Sequence, residues 1–596
     1  MSDHADNRAS VLAVIRVLPR VSVGLTVTLL AVLLLQALLS AGFILATGAV
    51  VDDLANQADS VGWHLAILMV SFVARLAIFP ISGAIGNGLA RRFTAMLTQT
   101  TLEGALRPVG IGHLTDPAVA DRIQLAQGLN TGHPPGAAVT SLAGLISSRL
   151  SGLAAAITLA TVEWWLPLPL AAVWILLSRW RLRDVRRAVA AVAEAVPALR
   201  HAGYARDLAI GDAAAKEIRV FGLQDWLLER FTRAWHEGTA ALNSSGSALI
   251  KVVSLVLLAA AHTAVFLHLA FAASGGRLGV ESIVVALQAI SGMAMLGYLG
   301  DVQWILTNAS AAVPHALAVG ELGVEAAHER AAAVPDTALP ARGIRLEGVS
   351  FGYPDRPVLQ GLDLEIPAGS SLAIVGVNGA GKSTIIKLLS RLYEPDAGRV
   401  TVDGVDLRDL DARAWRRQLA VVFQEFLRYE LPLRENVGFG RVDAERSDAA
   451  LERVARISGL DEVLPKLPFG WDTPLGRRFE GGTDLSGGQW QRVALARALL
   501  AVEHGARVLI LDEPTANLDV RAEAEIYEHF LDITRGLTTI LVSHRFATVR
   551  LADRICVIDG GRVIEYGSHE ELMALDGQYA HMFTLQSAPF REAHHV

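Results

Sequence analysis

Residues 21–50 form an apolar run that carries no charged side chain. A helix needs roughly 20 consecutive apolar residues to cross the hydrocarbon core of a bilayer. The run exceeds that length, so it is predicted to span a membrane. The composition of the chain agrees, because hydrophobic residues make up 52% and charged residues only 19%, below the roughly 25% usual for soluble proteins.

Further apolar stretches follow, and together with the first they predict an α-helical transmembrane domain of six spans over residues 1–325. The later spans are residues 62–88, 137–161, 166–177, 250–272 and 282–302. The fourth is short, and Trp164 and Trp165 before it are typical of an interfacial aromatic belt. Arg75 in the second span either lines a cavity or snorkels to the interface. His262 and His268 in the fifth are expected to be satisfied by neighbouring helices.

Basic residues are distributed unevenly between the connections. Arginines precede the first span and follow the second and fourth, at positions 16, 20, 91, 92 and 179–187. The opposite connections, 52–61, 162–165 and 273–281, hold a single cation, Arg277. The positive-inside rule therefore places both termini and the two long loops in the cytoplasm. The formal charge of −7 gives no general reason to expect nucleic acid as a partner, and the single cysteine, Cys556, excludes an intramolecular disulfide.

The sequence pattern changes near residue 340, where short β-branched strands begin to alternate with helical segments. Residues 326–343 contain Pro335 and Pro340 among small residues, which predicts a linker. Residues 344–588 are predicted to form one α/β nucleotide-binding domain, and residues 589–596 a C-terminal tail. Its acidic stretch at 403–411 resembles a calcium loop but lacks the required glycine and glutamate spacing, and His594-His595 is interpreted as part of the tail.

A glycine-rich loop lies between a wholly apolar strand, 371–375, and a helical pattern, 385–392. The loop matches G-x-x-x-x-G-K-[ST], in which backbone N–H groups surround phosphates. Its candidate nucleotide-binding residues are Gly376, Asn378, Gly379, Gly381, Lys382, Ser383 and Thr384. Lys382 is expected to reach the β- and γ-phosphates, and the Ser383 hydroxyl to ligate Mg²⁺. The loop therefore predicts a P-loop NTPase fold that uses ATP and Mg²⁺.

A second buried-strand pattern, 508–511, ends in two acids. A P-loop site needs a carboxylate at a strand end to hold Mg²⁺, and Asp512 has that position. Glu513 follows directly and is the candidate general base that polarises the attacking water.

A third candidate phosphate-binding segment lies at 485–489, where a serine and two glycines begin a helix. The N-terminus of a helix favours anions. One P-loop and one such helix start in the same chain suggest a shared site, in which two subunits each lend this segment to the other's nucleotide.

These motifs, in this order, resemble the ATP-binding-cassette transporters, and the six spans resemble the exporter-type half transporters among them. The resemblance implies a role for Tyr353 in stacking on adenine and for Gln424 in sensing the γ-phosphate and Mg²⁺. It implies that Ser486 and Gly488 contact the partner's γ-phosphate, that Asp519 lies across the dimer interface, and that His544 contacts the γ-phosphate. It also implies ATP hydrolysis coupled to transport by a dimer, with a homodimer favoured and a heterodimer open.

Two segments depart from the usual family pattern, residues 425–429 and 477–479. They resemble a bacterial branch that exports modified peptides or antibiotics, so a peptide-like or amphipathic natural product is the expected cargo. The expected location is a bacterial inner membrane, with the ATP-binding domain in the cytoplasm. An importer on the same scaffold, for example for a siderophore, and a membrane-anchored ATPase without transport remain alternatives. Phe221 and Trp226 in the second cytoplasmic loop either dock toward the partner's ATP domain or pack within a helical hairpin.

Overall fold

A computed structural model describes residues 3–128, 132–211, 214–243, 248–297, 300–328, 339–354, 356–444, 447–513 and 536–592. The chain forms two compact units, one of Met1–Arg107 with Asp116–Val324 and one of Pro108–Thr115 with Glu325–Val596. The short segment Pro108–Thr115 thus belongs to the second unit, although both of its sequence neighbours belong to the first. The domain limits expected at residues 325, 343 and 588 stay predictions.

The first unit is helical. Its helices are α1 (Asp3–Val21), α2 (Val23–Asn56), α3 (Val61–Leu106), α5 (Pro117–Ala126), α6 (Ala137–Val162), α7 (Pro167–Ile210), α8 (Ala215–Val220), α9 (Gln224–Asn243), α10 (Ala248–Ser274), α11 (Val280–Met293) and α12 (Gly300–His328), while α4 (Gly112–Thr115) lies in the second unit. Large apolar side chains on α2 and α3 point outward; Leu38 is 60% exposed and Phe79 70% exposed. A helix surface of this kind is suited to contact with lipid, because apolar side chains exposed to lipid avoid the free-energy cost of contact with water.

Five helical segments among the described residues are long and apolar enough to cross a bilayer. They are Val23–Asn56, Val61–Leu106, Ala137–Val162, Val252–Ser274 and Val280–Val324. These segments contain or overlap the predicted first, second, third, fifth and sixth spans. The predicted fourth span, residues 166–177, is the beginning of α7 and is absent from this set. Its apolar part is short, and the same helix continues directly into the arginine-bearing stretch after residue 178.

The second unit contains two sheets. The strands are β1 (Gly343–Tyr353), β2 (Arg356–Pro367), β3 (Ser371–Gly376), β4 (Ala397–Val402), β5 (Val405–Asp406), β6 (Leu419–Val422), β7 (Val508–Asp512), β8 (Thr538–Val542), β9 (Arg554–Asp559) and β10 (Arg562–Gly567). The described strands form a four-stranded antiparallel sheet in the order β2-β1-β4-β5 and a six-stranded sheet in the order β10-β9-β3-β8-β7-β6. Its remaining helices are α13 (Lys382–Leu389), α14 (Ala412–Arg417), α15 (Leu433–Gly438), α16 (Asp448–Ser458), α17 (Gly487–Glu503), α18 (Phe546–Val549), α19 (His569–Ala574) and α20 (Gln578–Glu592).

The parallel part of the larger sheet decides where the chemistry converges. Strand β3 pairs in parallel with β8 and β9, β7 pairs in parallel with β6 and β8, and every residue of β7 and β8 is buried. The sequence of a strand that is buried on both faces is a continuous apolar run, and β7 shows this pattern. Because the strands are parallel, the loops that follow β3, β6, β7 and β8 leave from one edge of the sheet. Ligands of open α/β sheets bind at this edge.

Candidate nucleotide site

The P-loop follows β3 and leads into α13. Gly376, Gly379 and Gly381 have φ angles of 153°, 83° and 104°, which side chains other than glycine rarely adopt. A Cβ at Gly376 would lie 2.2 Å from the carbonyl oxygen of Ile558, so the strand also needs glycine there for close approach. Lys382, buried at the start of α13, donates from Nζ to the carbonyl oxygens of Gly376 (2.7 Å) and Val377 (3.1 Å).

The ammonium of Lys382 thus lies inside the loop that surrounds the predicted phosphate position. Burial lowers the pKa of Lys382, and the nearby carboxylates of Glu513 and Asp512 oppose this shift. Asn378, Ser383 and Thr384 belong to the same loop and helix start. The structure therefore brings the predicted P-loop residues together as a single loop at the amino end of α13.

Asp512 ends β7 beside this loop and is buried, with 3% of its surface exposed. Its carboxylate shares a hydrogen bond with the Ser383 hydroxyl, while its Oδ1 is buried and has no hydrogen-bond partner among the described residues. Burial raises the pKa of Asp512; the Ser383 hydrogen bond opposes this shift, and the neighbouring Glu513 adds to it. A buried carboxylate oxygen without a donor, next to a hydroxyl, suits Mg²⁺, which prefers oxygen ligands. The residues present thus fit the expected ion.

Glu513 occupies the first position after β7, with a φ of 50°. A residue with a side chain is uncommon in this left-handed region, and such strain clusters at functional sites. Glu513 Oε1 lies 2.6 Å from His544 Nε2, and Gln424 Nε2 donates to Glu513 Oε2 at 2.9 Å. Gln424 follows β6 and His544 follows β8, so the three side chains come from neighbouring strands of the sheet. All three predicted catalytic residues therefore meet in one hydrogen-bonded group.

Tyr353 lies at the end of β1, in an aromatic cluster with Phe351 and Tyr393, whose ring centroids are 5.3 Å and 5.7 Å away. Lys387 of α13 donates from Nζ to the Tyr353 hydroxyl at 3.1 Å. Tyr353 lines an open cleft of about 920 Å³ together with Arg356, Asp396 and Arg562. The predicted base-stacking residue is thus fixed to the P-loop helix and faces open space.

The sequence did not identify Arg356 as a candidate nucleotide-binding residue. Its Nη2 would lie 3.1 Å from a Cβ at Gly379, so the guanidinium lies against the P-loop, and the residue also lines the cleft beside Tyr353. A signal was present, because Arg356 comes three residues after Tyr353 at the start of β2. An arginine at this junction can reach both the base end and the phosphate end of a nucleotide.

Ser486 caps α17. Its hydroxyl accepts from the backbone N–H of Gln489 at 3.4 Å, and the Gln489 side chain accepts from the Ser486 N–H at 2.8 Å, which is a capping box. Leu485 and Trp490 on either side belong to a core cluster with Leu499 and Leu511, whereas the P-loop helix belongs to a different cluster. The structure thus builds Ser486 and Gly488 into a preformed helix start, which packs in a different hydrophobic cluster from the P-loop helix.

The remaining residues singled out in the sequence lie away from this site or outside the described part of the chain. Asp519 lies outside the described residues. His262 Nδ1 lies 2.9 Å from the carbonyl oxygen of Leu258, and His268 Nε2 lies 2.9 Å from Glu163 Oε2, so both histidines have partners within the helical unit. Phe221 and Trp226 are 69% and 54% exposed, and this exposure argues against packing within a hairpin.

A P-loop after β3, a buried aspartate and a glutamate at the end of β7, and the capped helix start at Ser486 are the features expected of an ATP-binding-cassette nucleotide-binding domain. The family model described as ABC transporter matches residues 359–516. The fold of nearly the whole chain is that of a bacterial Atm1-family ABC exporter with ATP bound, with a TM-score of 0.71, 24% identity and coverage of 96% of this chain and 99% of that one. The chain therefore has the fold of that exporter, and the expected fold class is confirmed.

Named relatives match part of this chain. A multidrug resistance protein 1 of Entamoeba histolytica is 44% identical over 248 residues, which is 41% of this chain and 19% of that protein. An ATP-dependent lipid A-core flippase of Chromobacterium violaceum is 37% identical over 382 residues, 62% of each chain. The subtilin transport ATP-binding protein SpaT of Bacillus subtilis is 39% identical over 236 residues, 39% of this chain and 38% of that protein. The chain thus spans less than two thirds of the length of these relatives.

Proposed function

We propose that this chain hydrolyses ATP and couples hydrolysis to export of an amphipathic or peptide-like molecule across a bacterial inner membrane. The observation that carries the ATPase part is the position of Glu513, held between His544 and Gln424 beside the P-loop. A carboxylate held by two partners at the edge where phosphates bind is placed to orient and deprotonate a water molecule. Lys382 supplies positive charge to the phosphates, Tyr353 stacks on the base, and Arg356 lies between them.

Bound Mg²⁺ would neutralise charge on the phosphate oxygens, with Asp512, Ser383 and Gln424 as the residues that hold it. The capped start of α17 supports a dimer, because the backbone N–H groups at a helix start favour anions and this one suits the nucleotide of a second subunit. Asp519 is proposed to lie at the same interface. A homodimer is the simplest arrangement, since the chain supplies every element of the composite site.

The cargo proposal rests on the relatives. Their names describe multidrug resistance, a lipid A-core flippase and subtilin transport. An amphipathic or peptide-like cargo is the proposal that these names support. The apolar exterior of the helical unit supports a multi-pass membrane location, with the ATP domain on the cytoplasmic side according to the distribution of arginines.

The ATPase proposal is tested with Glu513→Gln, which keeps the side-chain shape and removes the base. ATP turnover of the purified protein in nanodiscs should fall about 10²- to 10⁴-fold, while ATP binding persists. Undiminished turnover would refute the assignment of Glu513. Transport is tested in inside-out vesicles with modified peptides and lipophilic cations. ATP-dependent uptake of either class into the vesicles supports export, and its absence with intact ATPase activity supports a membrane-anchored ATPase.

A further inference from the structure

The histidine of the proposed catalytic group lies on a short loop between β8 and α18. His544 Nε2 is 2.6 Å from Glu513 Oε1, so the direction of the imidazole depends on the main chain of this loop. The loop supplies its own partners for Arg545. The Ser543 hydroxyl accepts from the Arg545 N–H at 3.0 Å, and the Thr548 hydroxyl donates to the Arg545 carbonyl oxygen at 2.8 Å. Local hydrogen bonds thus fix the middle of the loop.

The main-chain groups on either side of Arg545 are bonded by one side chain, Gln586 of the C-terminal helix α20. Gln586 Nε2 donates to the carbonyl oxygen of His544 at 2.7 Å, and Gln586 Oε1 accepts from the N–H of Phe546 at 3.5 Å. The orientation of the amide follows from its partners, because a carbonyl oxygen can only accept and an N–H can only donate. Gln586 therefore bridges the two ends of the turn that carries the histidine.

Helix α20 is held against this loop by aromatic side chains. Tyr579, Phe583 and Gln586 are spaced i, i+4 and i+7, which places them on one face of the helix. The centroid of the Phe546 ring lies 5.4 Å from that of Tyr579 and 5.8 Å from that of Phe583. Phe546 and Tyr579 are buried in one hydrophobic cluster. The face that carries Gln586 therefore packs in the core next to the loop of His544.

The start of α20 is anchored as well. The carboxylate of Glu565 on β10 accepts from the N–H of Gln578 at 2.5 Å and from that of Tyr579 at 3.0 Å. These are N–H groups that the first turn of a helix leaves without partners inside the helix. The Tyr579 hydroxyl lies 2.7 Å from His569 Nδ1. The fold thus fixes the position of the helix, and Gln586 reaches the loop from its third turn.

Gln586 differs from the aromatic residues of this face because it is exposed. Replacing its amide removes no core packing, so the cost of a cavity does not arise. The replacement would leave the His544 carbonyl oxygen and the Phe546 N–H without this partner, which frees the main chain beside the imidazole. The contribution of Gln586 is therefore to the position of the loop and can be separated from the stability of the core.

We infer that Gln586 is a positioning residue for ATP hydrolysis, which holds the main chain of His544 so that the imidazole stays against Glu513. This inference rests on the proposed function, because it requires His544 to act in hydrolysis. Gln586 acts through His544 and not on the nucleotide. The C-terminal helix is thereby part of the machinery for hydrolysis.

Gln586→Met tests the inference, because it keeps the length of the side chain and removes both hydrogen bonds. For the full chain in nanodiscs, kcat for ATP should fall about tenfold, the factor that one hydrogen bond supplies. KM for ATP should change by less than twofold, since Lys382 and Tyr353 are untouched. Gln586→Lys, which keeps a donor for the His544 carbonyl oxygen, should recover part of the rate.

Leu585→Ala is the matched control, because Leu585 is the preceding residue of α20 and is 62% exposed. It should turn over ATP at the rate of the parent. The thermal unfolding midpoint of each variant, measured alongside, should stay close to that of the parent.

A double-mutant cycle separates positioning of the histidine from a general effect on structure. His544→Ala alone should lower the single-turnover rate of ATP hydrolysis about 100-fold, as for loss of one group that stabilises charge in a transition state. Adding Gln586→Met to His544→Ala should lower that rate by less than twofold further, because no imidazole remains to be positioned.

An unchanged kcat in Gln586→Met would overturn the inference. The same fold loss from Gln586→Met in the parent and in the His544→Ala background would overturn it as well, because Gln586 would then act independently of the histidine. Parent-like hydrolysis by His544→Ala would instead refute the proposed role of His544, which is a failure of the proposed function.

Discussion

Glu513→Asp keeps a carboxylate at this position in the chain but moves it, so the substitution tests whether the exact position of the carboxylate matters. The change removes one methylene and withdraws the carboxylate by about 1.5 Å. The contacts to His544 and Gln424, now 2.6 Å and 2.9 Å, would stretch beyond hydrogen-bond distance. The backbone should tolerate the change, because aspartate adopts the left-handed region at least as readily as glutamate, and Glu513 has a φ of 50°. The substitution therefore tests geometry alone.

A misplacement of about 1 Å can cost about 100-fold in rate, or about 2.7 kcal/mol in activation free energy. We expect Glu513→Asp to lower kcat for ATP by about that factor, with KM for ATP changed by less than threefold, in a phosphate-release assay on protein in nanodiscs. Glu513→Gln, which keeps the length and removes the base, should be at least as slow. A kcat for Glu513→Asp close to that of the parent would refute the view that His544 and Gln424 fix a catalytic position.

Other expected outcomes follow from single contacts. Asp403 accepts from the backbone N–H groups of Ala341, Arg342 and Gly343 at 2.8, 2.6 and 2.9 Å. Burial opposes the ionised form, but these bonds outweigh it and lower the pKa of Asp403. The stability it adds is present above its unfolded pKa of about 4 and is lost as pH falls through the lower folded value, so Asp403→Asn should lower the thermal midpoint most at neutral pH and least in strong acid. Arg356→Met should raise KM for ATP up to about tenfold with kcat little changed, as for one charged hydrogen bond; an unchanged KM would remove Arg356 from the site. Burial raises the pKa of Cys556 to about 12, so maleimide should label it only after unfolding; rapid labelling of folded protein would contradict its place in β9.

The sequence is most informative where function is local to one stretch of chain. The P-loop and the end of β7 each combine a buried strand with the reactive residues in fewer than about a dozen positions, so strand, loop and chemistry are read together. The meeting of Gln424, Glu513 and His544 is different. It depends on β6, β7 and β8 being neighbours, and strand order is set by tertiary pairing that spacing alone does not reveal. Only the family resemblance connected these residues beforehand.

Long-range contacts to main-chain atoms leave even less trace in the sequence. Arg416 bonds to a carbonyl 307 positions away, and any residue type at Val109 would offer the same oxygen. The role of Asp403, in the acidic stretch that resembles a calcium loop, was hidden for the same reason. Its carboxylate accepts hydrogen bonds from backbone N–H groups at the end of the predicted linker, about 60 residues earlier in the chain. The fourth predicted span illustrates the reverse problem, since an apolar segment shorter than a bilayer merges with the polar helix that follows it.

The two ends of α13 suggest that the phosphate site and the Arg416 contacts can be altered independently in this chain. The amino end holds Lys382 and the phosphate loop, whereas the carboxyl end is joined through Arg416 to Pro108–Thr115. An eight-residue helix is about 12 Å long, which separates the two ends by more than a hydrogen-bond distance. Effects of changes at sites more than about 10 Å apart usually add. Glu513→Asp and Arg416→Met should therefore combine additively in the activation free energy of ATP turnover, and a kcat of the double variant that differs from the product of the two single effects would contradict this.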